Sequence, residues 1–142
     1  MIVIVCGGRD LTDGEFVFKS LDEIHASINI TRVIEGGQRT KNVKTGKVVG
    51  GADYWAFKWA EQHQIHCITV KANWTMYGAA AGPIRNQEMI NRYNPKRVIA
   101  FPGGRGTADM KRRAKKASIE IIEVNKKPAT ETGFFTGESG TI

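Results

Sequence analysis

The sequence is short of cysteine, of long apolar runs and of histidine, and each shortage excludes a class of protein. Its only two cysteines, Cys6 and Cys67, lie in separate apolar runs, so we expect free, buried thiols. No run of 18 apolar residues is present, which argues against a membrane-spanning protein. The three histidines lack metal-ligand spacing, so no metal is expected. No other cofactor is expected either. The apolar start, residues 1–6, is too short for a signal peptide, which predicts a soluble protein of the reducing cytoplasm.

Glycine and positive charge are abundant instead. The 142 residues include 16 glycines, which cluster in short loops, and carry a formal net charge of +7. Loops of this kind indicate backbone that a ligand approaches closely, and a basic balance favours phosphate-bearing small molecules or nucleic acid as partners. The length predicts one domain over residues 1–124. Residues 125–142, rich in Thr, Gly and Glu, predict an extended or disordered tail.

Apolar runs of strand length alternate with helical patterns along the chain. We predict strands at residues 2–6, 33–35, 67–70, 97–101 and 119–124. Four helices lie between these strands. The first is capped at Thr12 or Asp13, and the others cover 52–63, 83–93 and 107–117. Residues 72–82 form a loop. This alternation predicts an α/β fold, in which a five-stranded, mainly parallel sheet carries helices on both faces.

A basic segment over residues 38–50 interrupts this alternation. Lys41, Lys44 and Lys47 are spaced by three, and a small hairpin around 45–46 is one interpretation. An exposed flap or a partly disordered loop is the alternative, which we favour because the segment is so polar.

The candidate site is the stretch from Val98 to Asp109, where an apolar strand, a glycine-rich turn and a helix start follow one another. Such a turn gathers backbone N–H groups and the positive end of a helix dipole around one point, which suits a phosphate. The residues expected to bind it are Gly103, Gly104, Arg105, Gly106 and Thr107.

Two further glycine turns follow predicted strands, and the carboxyl ends of parallel strands meet at one edge of the sheet. They are Gly7-Gly8, followed by Arg9, and Gly36-Gly37. Arg9 suits a phosphate, although it could pair with Asp13 instead. Asp53 could cap a helix or bind a ribose hydroxyl, and Asp109 could favour the helix dipole or act in catalysis.

Five ordered motifs between residues 2 and 124 resemble the YspA-like branch of the SLOG superfamily. That superfamily includes the LOG phosphoribohydrolases and the DprA/Smf DNA-binding proteins. The motifs are Val5-Cys-Gly-Gly-Arg-Asp10, Gly36-Gly37, Gly51-Ala-Asp53, Gly82-Pro-Ile-Arg-Asn-Gln87 and Ala100-Phe-Pro-Gly-Gly-Arg-Gly-Thr-Ala-Asp-Met110. The resemblance implies a Rossmann-like, three-layer fold, a nucleotide-derived ligand, a bacterial or phage setting, and a homo-oligomer, either a dimer or a tetramer.

In the hydrolase branch, a Pro-Gly-Gly-x-Gly-Thr-x-x-Glu motif binds phosphate and its Glu helps to cleave the N-glycosidic bond, assisted by a helix Arg. Here the first five fixed positions of that motif match, at Pro102, Gly103, Gly104, Gly106 and Thr107, and Arg85 is similar to the helix Arg. Met110 occupies the Glu position and cannot ionise, so Asp109 or Glu88 would have to supply a carboxylate. Relatives also close the gap before Gly51 with about two residues, whereas this chain inserts a basic segment at 40–49.

Three functions are compatible with these residues. The first is a binding protein that senses, carries or sequesters a nucleoside monophosphate, ADP-ribose or cyclic nucleotide. The second is a phosphoribohydrolase that cleaves nucleoside 5′-monophosphates, with Arg85, Glu88 or Asp109 as catalytic residues. A weaker alternative is DprA-like binding of single-stranded DNA through the basic insertion and the last helix.

Overall fold

In a computed structural model, residues 1–125 are described. Along the chain the elements are β1 (Ile2–Cys6), α1 (Gly14–Ile28), β2 (Arg32–Glu35), β3 (Thr40–Lys41), β4 (Val48–Gly50), α2 (Ala52–Gln62), β5 (His66–Thr69), α3 (Trp74–Tyr77), a 3₁₀ turn (Gly78–Ala80), α4 (Ala81–Tyr93), β6 (Arg97–Ala100), α5 (Arg105–Lys116) and β7 (Glu120–Glu123).

Five of these strands form one sheet in the order β5-β2-β1-β6-β7. Every neighbouring pair is parallel, and Ile4 of β1 lies beside Ile34 of β2 and Val98 of β6. β1 is the central strand: β2 and then β5 lie on one side of it, and β6 and then β7 lie on the other. This is a Rossmann-like α/β fold, as predicted, and the sheet is wholly parallel.

Helices cover both faces of the sheet because alternate side chains of each strand point to opposite sides. Val3 and Val5 of β1 pack under α1 and α2, where Trp59 is fully buried. Ile4 points the other way, into a second cluster with Met89 of α4 and Met110 of α5. The predicted three-layer arrangement is therefore confirmed.

Of the interpretations of residues 38–50, the structure shows the hairpin, because β3 and β4 pair there in antiparallel fashion. Residues 41–47 are exposed, as expected of a flap, but a partly disordered loop is wrong. Asn42 holds its tip together: the side-chain oxygen accepts hydrogen bonds from the backbone N–H groups of Lys44 and Thr45, at 2.9 and 3.1 Å. The Asn42 N–H donates to the carbonyl of Lys47 at 2.8 Å. Side-chain capping of this kind gives a polar segment a defined turn.

Two predicted boundaries also differ from the structure. The predicted loop at 72–82 contains α3, whose N-terminus is capped by the Asn73 side chain, and α4 already begins at Ala81. The last helix, α5, begins at Arg105 rather than at 107. Arg105 and Gly106 therefore belong to the first helical turn rather than to the loop before it.

In residues 1–125, no helix is long and apolar enough to cross a membrane. The same residues contain no group of three His, Cys, Asp or Glu side chains able to hold a metal ion. The tail predicted for 125–142 lies outside the described residues from position 126 onward.

Candidate functional site

The turns that follow β1 and β6 pack directly against each other, where the strand order reverses. The Gly8 N–H donates a hydrogen bond to the Pro102 carbonyl at 2.8 Å. A Cβ on Gly7 would lie 2.8 Å from the Cβ of Phe101, which directly follows β6, and one on Gly103 would lie 2.8 Å from the Gly8 nitrogen. Glycine is required at these positions because the two turns approach so closely.

A cavity of about 250 Å³ opens beside these turns, at the carboxyl edge of the sheet. Most of the predicted binding residues line it: Gly7, Arg9, Gly36, Asp53, Arg85, Gly104, Arg105, Gly106 and Thr107. Gly8, Gly37 and Gly103 do not line it. This is the position at which open parallel sheets bind ligands.

The N-terminus of α5 opens into this cavity without a side-chain cap. Gly104 is the N-cap residue, and the first helical hydrogen bond runs from the Ala108 N–H to the Gly104 carbonyl, at 3.0 Å. The N–H groups of Arg105, Gly106 and Thr107 thus lie in the turn that has no intrahelical acceptor. A Cβ on Gly104 or Gly106 would meet no protein atom within 4 Å. Unlike Gly103, these two glycines are not required by protein packing.

Arg85 lies in the first half of α4 and is 8% exposed. Its Nη1 donates to the Gly36 carbonyl at 2.6 Å, and its Nε donates to the Asn86 side-chain oxygen at 3.0 Å. The Asn86 Nδ2 in turn donates to the Gly106 carbonyl at 3.2 Å and to Asp109 at 3.0 Å. Asn86 therefore connects Arg85 with the first turn of α5. Asn86 was not identified as a site residue from the sequence, although it follows Arg85 in the Gly82–Gln87 motif.

Asp53 contributes the one carboxylate among the residues that line the cavity. It lies in the first turn of α2, whose N-cap residue is Gly51, so the N-capping alternative is wrong. Its Oδ2 accepts a hydrogen bond from the Gln38 N–H at 3.1 Å. Burial, and then the nearby charge of Glu35, raise the pKa of Asp53 from 3.8 to about 6.

The structure does not bring Asp109 or Glu88 into the cavity, since neither is among its lining residues. Asp109 accepts hydrogen bonds from Arg112 and Arg113, at 2.5 and 2.8 Å. Burial alone would raise the pKa of Asp109, but the hydrogen bonds from Arg113 and Asn86 and the two guanidinium charges outweigh it and lower that pKa. Glu88 is exposed on α4 and pairs with Arg92 at 3.4 Å.

Met110 and Cys6 supply uncharged surface to the cavity. Met110 is 1% exposed and packs into the apolar cluster under α4 and α5. Burial, and then the charge of Asp53, raise the pKa of the half-buried Cys6 thiol to about 12, which leaves it a poor nucleophile near neutral pH. Neither side chain can take the place of a catalytic carboxylate.

Glu35, at the end of β2, is fully buried and was not identified as a site residue from the sequence. Its carboxylate accepts hydrogen bonds from the Gly37 N–H at 2.7 Å and from the Thr69 hydroxyl. Arg39 donates to both carboxylate oxygens, at 3.0 and 3.1 Å. The one signal in the sequence was an acidic residue that directly precedes a glycine pair at the end of an apolar strand.

Arg9 is exposed at the mouth of the cavity and forms no ion pair within 4.0 Å among the described residues. Its alternative partner, Asp13, instead caps α1 by accepting the Phe16 N–H at 3.0 Å. The guanidinium of Arg9 is therefore available to a ligand.

The chain is similar to several known proteins. A sequence model of the YspA, cpYpsA-related SLOG family matches residues 1–77. The Gene 61 protein of Mycobacterium phage D29 is 34% identical over 134 residues, which cover 89% of this chain and 98% of that protein. The solved structure of phosphoribosylglycinamide formyltransferase (purN) from Coxiella burnetii, in complex with CHES, is 18% identical and gives a TM-score of 0.44. That match covers 86% of this chain and 49% of the enzyme, so the chain spans about half of the enzyme's length.

Proposed function

The chain belongs to the YspA, cpYpsA-related SLOG family, and on that premise we propose that it binds a nucleotide or nucleotide-derived ligand by its phosphate. Family membership suggests nucleotide-related binding only at a coarse level. The finer proposal is that the phosphate lies against the first turn of α5, at Gly104 to Thr107. In this role the protein senses, carries or sequesters its ligand.

The observation that carries the proposal is the uncapped N-terminus of α5. Its free N–H groups and the helix dipole favour an anion, and phosphate binding at such a position is a general property of helix N-termini. Gly104 and Gly106 leave open space where a phosphate would approach the backbone. Arg9 and Arg85 supply positive charge on the other sides of the cavity.

Binding without hydrolysis is supported by Met110, which stands where the related hydrolases have their acid. A second candidate function, cleavage of a nucleoside 5′-monophosphate, is favoured by one observation. Asp53 is a 7% exposed carboxylate that lines the cavity, and burial and Glu35 raise its pKa to about 6. Such a group could stabilise a cationic ribosyl transition state or move a proton near neutral pH.

Titration calorimetry with a panel of nucleoside 5′-monophosphates and the corresponding nucleosides tests the binding proposal. We expect the monophosphates to bind and the nucleosides to bind at least 10-fold more weakly, since they lack the phosphate. Thr107→Val removes the hydroxyl of a residue that lines the cavity and should weaken monophosphate binding about 10-fold, because a hydrogen bond to a charged group contributes about 1.5 kcal/mol or more. Thr75→Val, on the exposed α3, is the matched control and should change nothing.

Chromatography of the same mixtures after long incubation separates the two functions. The binding proposal predicts no free base from any monophosphate. Release of base that disappears in Asp53→Asn would establish the second candidate instead. Equal affinity for monophosphates and nucleosides would contradict both.

A further inference from the structure

The β3–β4 hairpin presents positive charge without any acidic residue of its own. Between Gly36 and Ala52 the sequence contains no Asp or Glu, and Lys41, Lys44 and Lys47 are all exposed. None of the three forms an ion pair within 4.0 Å among the described residues. The lysines are therefore free to bind an external anion.

The hairpin is fixed to the sheet at its base by Arg39. The guanidinium spans both oxygens of the fully buried Glu35, and it also lies 5.2 Å from the ring centre of Phe57 and 5.8 Å from that of Tyr54. A bidentate pair with aromatic contacts fixes both position and orientation. The hairpin thus extends from a rigid base.

Both ends of the hairpin also contact the loop that forms the rim of the cavity. The Thr40 hydroxyl donates to the Arg9 carbonyl, and the Gly51 N–H donates to the Leu11 carbonyl at 2.8 Å. Arg9 and Gln38 line the cavity, and Lys41 is the next residue after Thr40. The positive charge of the hairpin therefore begins at the rim and continues away from it.

The cavity is small for a ligand that carries several phosphates. Its volume of about 250 Å³ lies below the roughly 300–1,000 Å³ of pockets that enclose drug-sized ligands. One nucleotide-sized part would fill it, and the remainder of a longer ligand would have to leave across the rim. On the side of Arg9 and Gln38, that path leads to the hairpin.

We propose that the hairpin is a second anion subsite, at which Lys41, Lys44 and Lys47 bind further phosphate groups of a ligand whose first phosphate lies against α5. This inference rests on the proposed function and narrows its ligand to a compound with phosphates separated by nucleoside units. A dinucleotide and the 5′-phosphorylated end of an oligonucleotide share that chemistry. Because Asn42 closes the tip, the backbone that carries the lysines is already ordered, which lowers the entropic cost of binding.

Fluorescence competition with three probes tests the second subsite: adenosine 5′-monophosphate, the dinucleotide pApA, and a 5′-phosphorylated 12-residue oligothymidylate. The test variant is Lys41→Gln/Lys44→Gln/Lys47→Gln. The matched control is Lys96→Gln/Lys115→Gln/Lys116→Gln, which removes the same charge from three exposed positions at the amino edge of the sheet. Circular dichroism and thermal unfolding of both variants establish that each is folded.

We expect pApA and the oligothymidylate to bind at least 10-fold more tightly than the monophosphate. The hairpin variant should lose that gain, while its affinity for the monophosphate changes less than about 2-fold, and the control should keep the gain. For the oligothymidylate, the dependence of log affinity on log salt should become shallower by about 1–2 in the hairpin variant alone, since each lost phosphate contact contributes about 0.7 for single strands. If pApA binds more tightly than the monophosphate, a dinucleotide is sufficient to reach the hairpin. If only the oligothymidylate binds more tightly, a longer strand is required.

The inference is overturned if the longer probes bind no better than the monophosphate, or if the hairpin variant keeps the gain. Equal competition by polyglutamate of matched charge would also overturn it, because the surface would then not select phosphate. The proposed function is contradicted by different results: either the monophosphate does not bind, or Thr107→Val does not change its affinity. Loss of oligothymidylate binding in the hairpin variant would, even then, establish the hairpin as an anion site.

Discussion

At the scale of single residues, buried carboxylates distinguish this site from an ordinary glycine turn. Glu35 is fully buried and has a hydrogen-bond donor on each oxygen, whereas Asp53 accepts one hydrogen bond and faces the cavity. A buried charge is stable only when it is paired and hydrogen-bonded. The two acids therefore differ: the buried charge of Glu35 is compensated by its partners, whereas burial disfavours the charged form of Asp53.

Glu35→Gln should lower the free energy of unfolding by about 2–3 kcal/mol, measured in urea. Breaking a wholly buried pair costs roughly 3–5 kcal/mol. The cost is smaller here because the side chain of Arg39 keeps 23% exposure. The amides of the hairpin should also exchange with solvent faster, since Arg39 loses its anchor. Glu23→Gln, on the exposed face of α1, is the control and should change stability by less than about 0.5 kcal/mol.

Asp53→Asn should stabilise the protein above pH 6 and have little effect near pH 4. The pKa of Asp53 is about 6 in the folded protein against 3.8 ordinarily, so between these values the folded state holds the proton more tightly than the unfolded state. The stability from the neutral acid is complete below pH 3.8 and is lost as pH rises through 6. The shift sets an upper limit of about 3 kcal/mol at pH 7.5. Urea unfolding at pH 4.5 and 7.5 checks this, and a difference that is the same at both pH values would contradict it.

At the scale of elements, the turn from β6 into α5 contains glycines of two kinds. Gly103 is required because the β1 turn packs against it, whereas Gly106 lies in the first turn of α5 with open space beside it. A sequence pattern alone cannot separate the two. Only the approach of the distant β1 turn does so.

A pair of alanine variants separates these roles. Gly106→Ala should leave the stability unchanged or raise it by up to about 1 kcal/mol, the difference in helix propensity, while its Cβ intrudes on the cavity and weakens monophosphate binding at least 10-fold. Gly103→Ala should destabilise by about 1–3 kcal/mol, because its Cβ would lie 2.8 and 2.9 Å from backbone atoms of Gly8 and Gly7. Thermal unfolding with calorimetric titration measures both effects. The assignment is wrong if Gly106→Ala unfolds more easily or binds normally.

The basic insertion shows where local sequence reasoning is limited. Its polar composition indicated a flap, and the residues that order it are distant in the sequence or act through side chains. Glu35 and Phe57 hold Arg39 in place, and Asn42 closes the tip. Secondary-structure propensity carries no information about a buried ion pair, so the sequence did not reveal how firmly the hairpin is held.

At the scale of the whole molecule, the topology brings the site together. β1 and β6 are adjacent in the sheet although residues 7–96 separate them in the chain, and their turns meet where the strand order reverses. Gly36 and Arg85 reach the same cavity from the end of β2 and from α4. The hairpin adds further positive charge to the rim on one side of the cavity. A basic protein thus concentrates part of its charge beside a helix N-terminus, where both attract anions.

The sequence by itself determined the α/β class, the parallel sheet with helices on both faces, and the glycine turns from which the cavity is built. It could do so because strand and helix periodicity and glycine turns are local properties of the chain. Only the tertiary structure decided which carboxylate faces the cavity, which glycines are open to a ligand, and that the insertion is an anchored hairpin. Asp53, Asp109 and Glu88 are equivalent acids in a sequence. Their surroundings in the fold make them different: Asp109 and Glu88 pair with arginines of their own helices, whereas Asp53 is buried in the cavity wall close to Glu35 of β2.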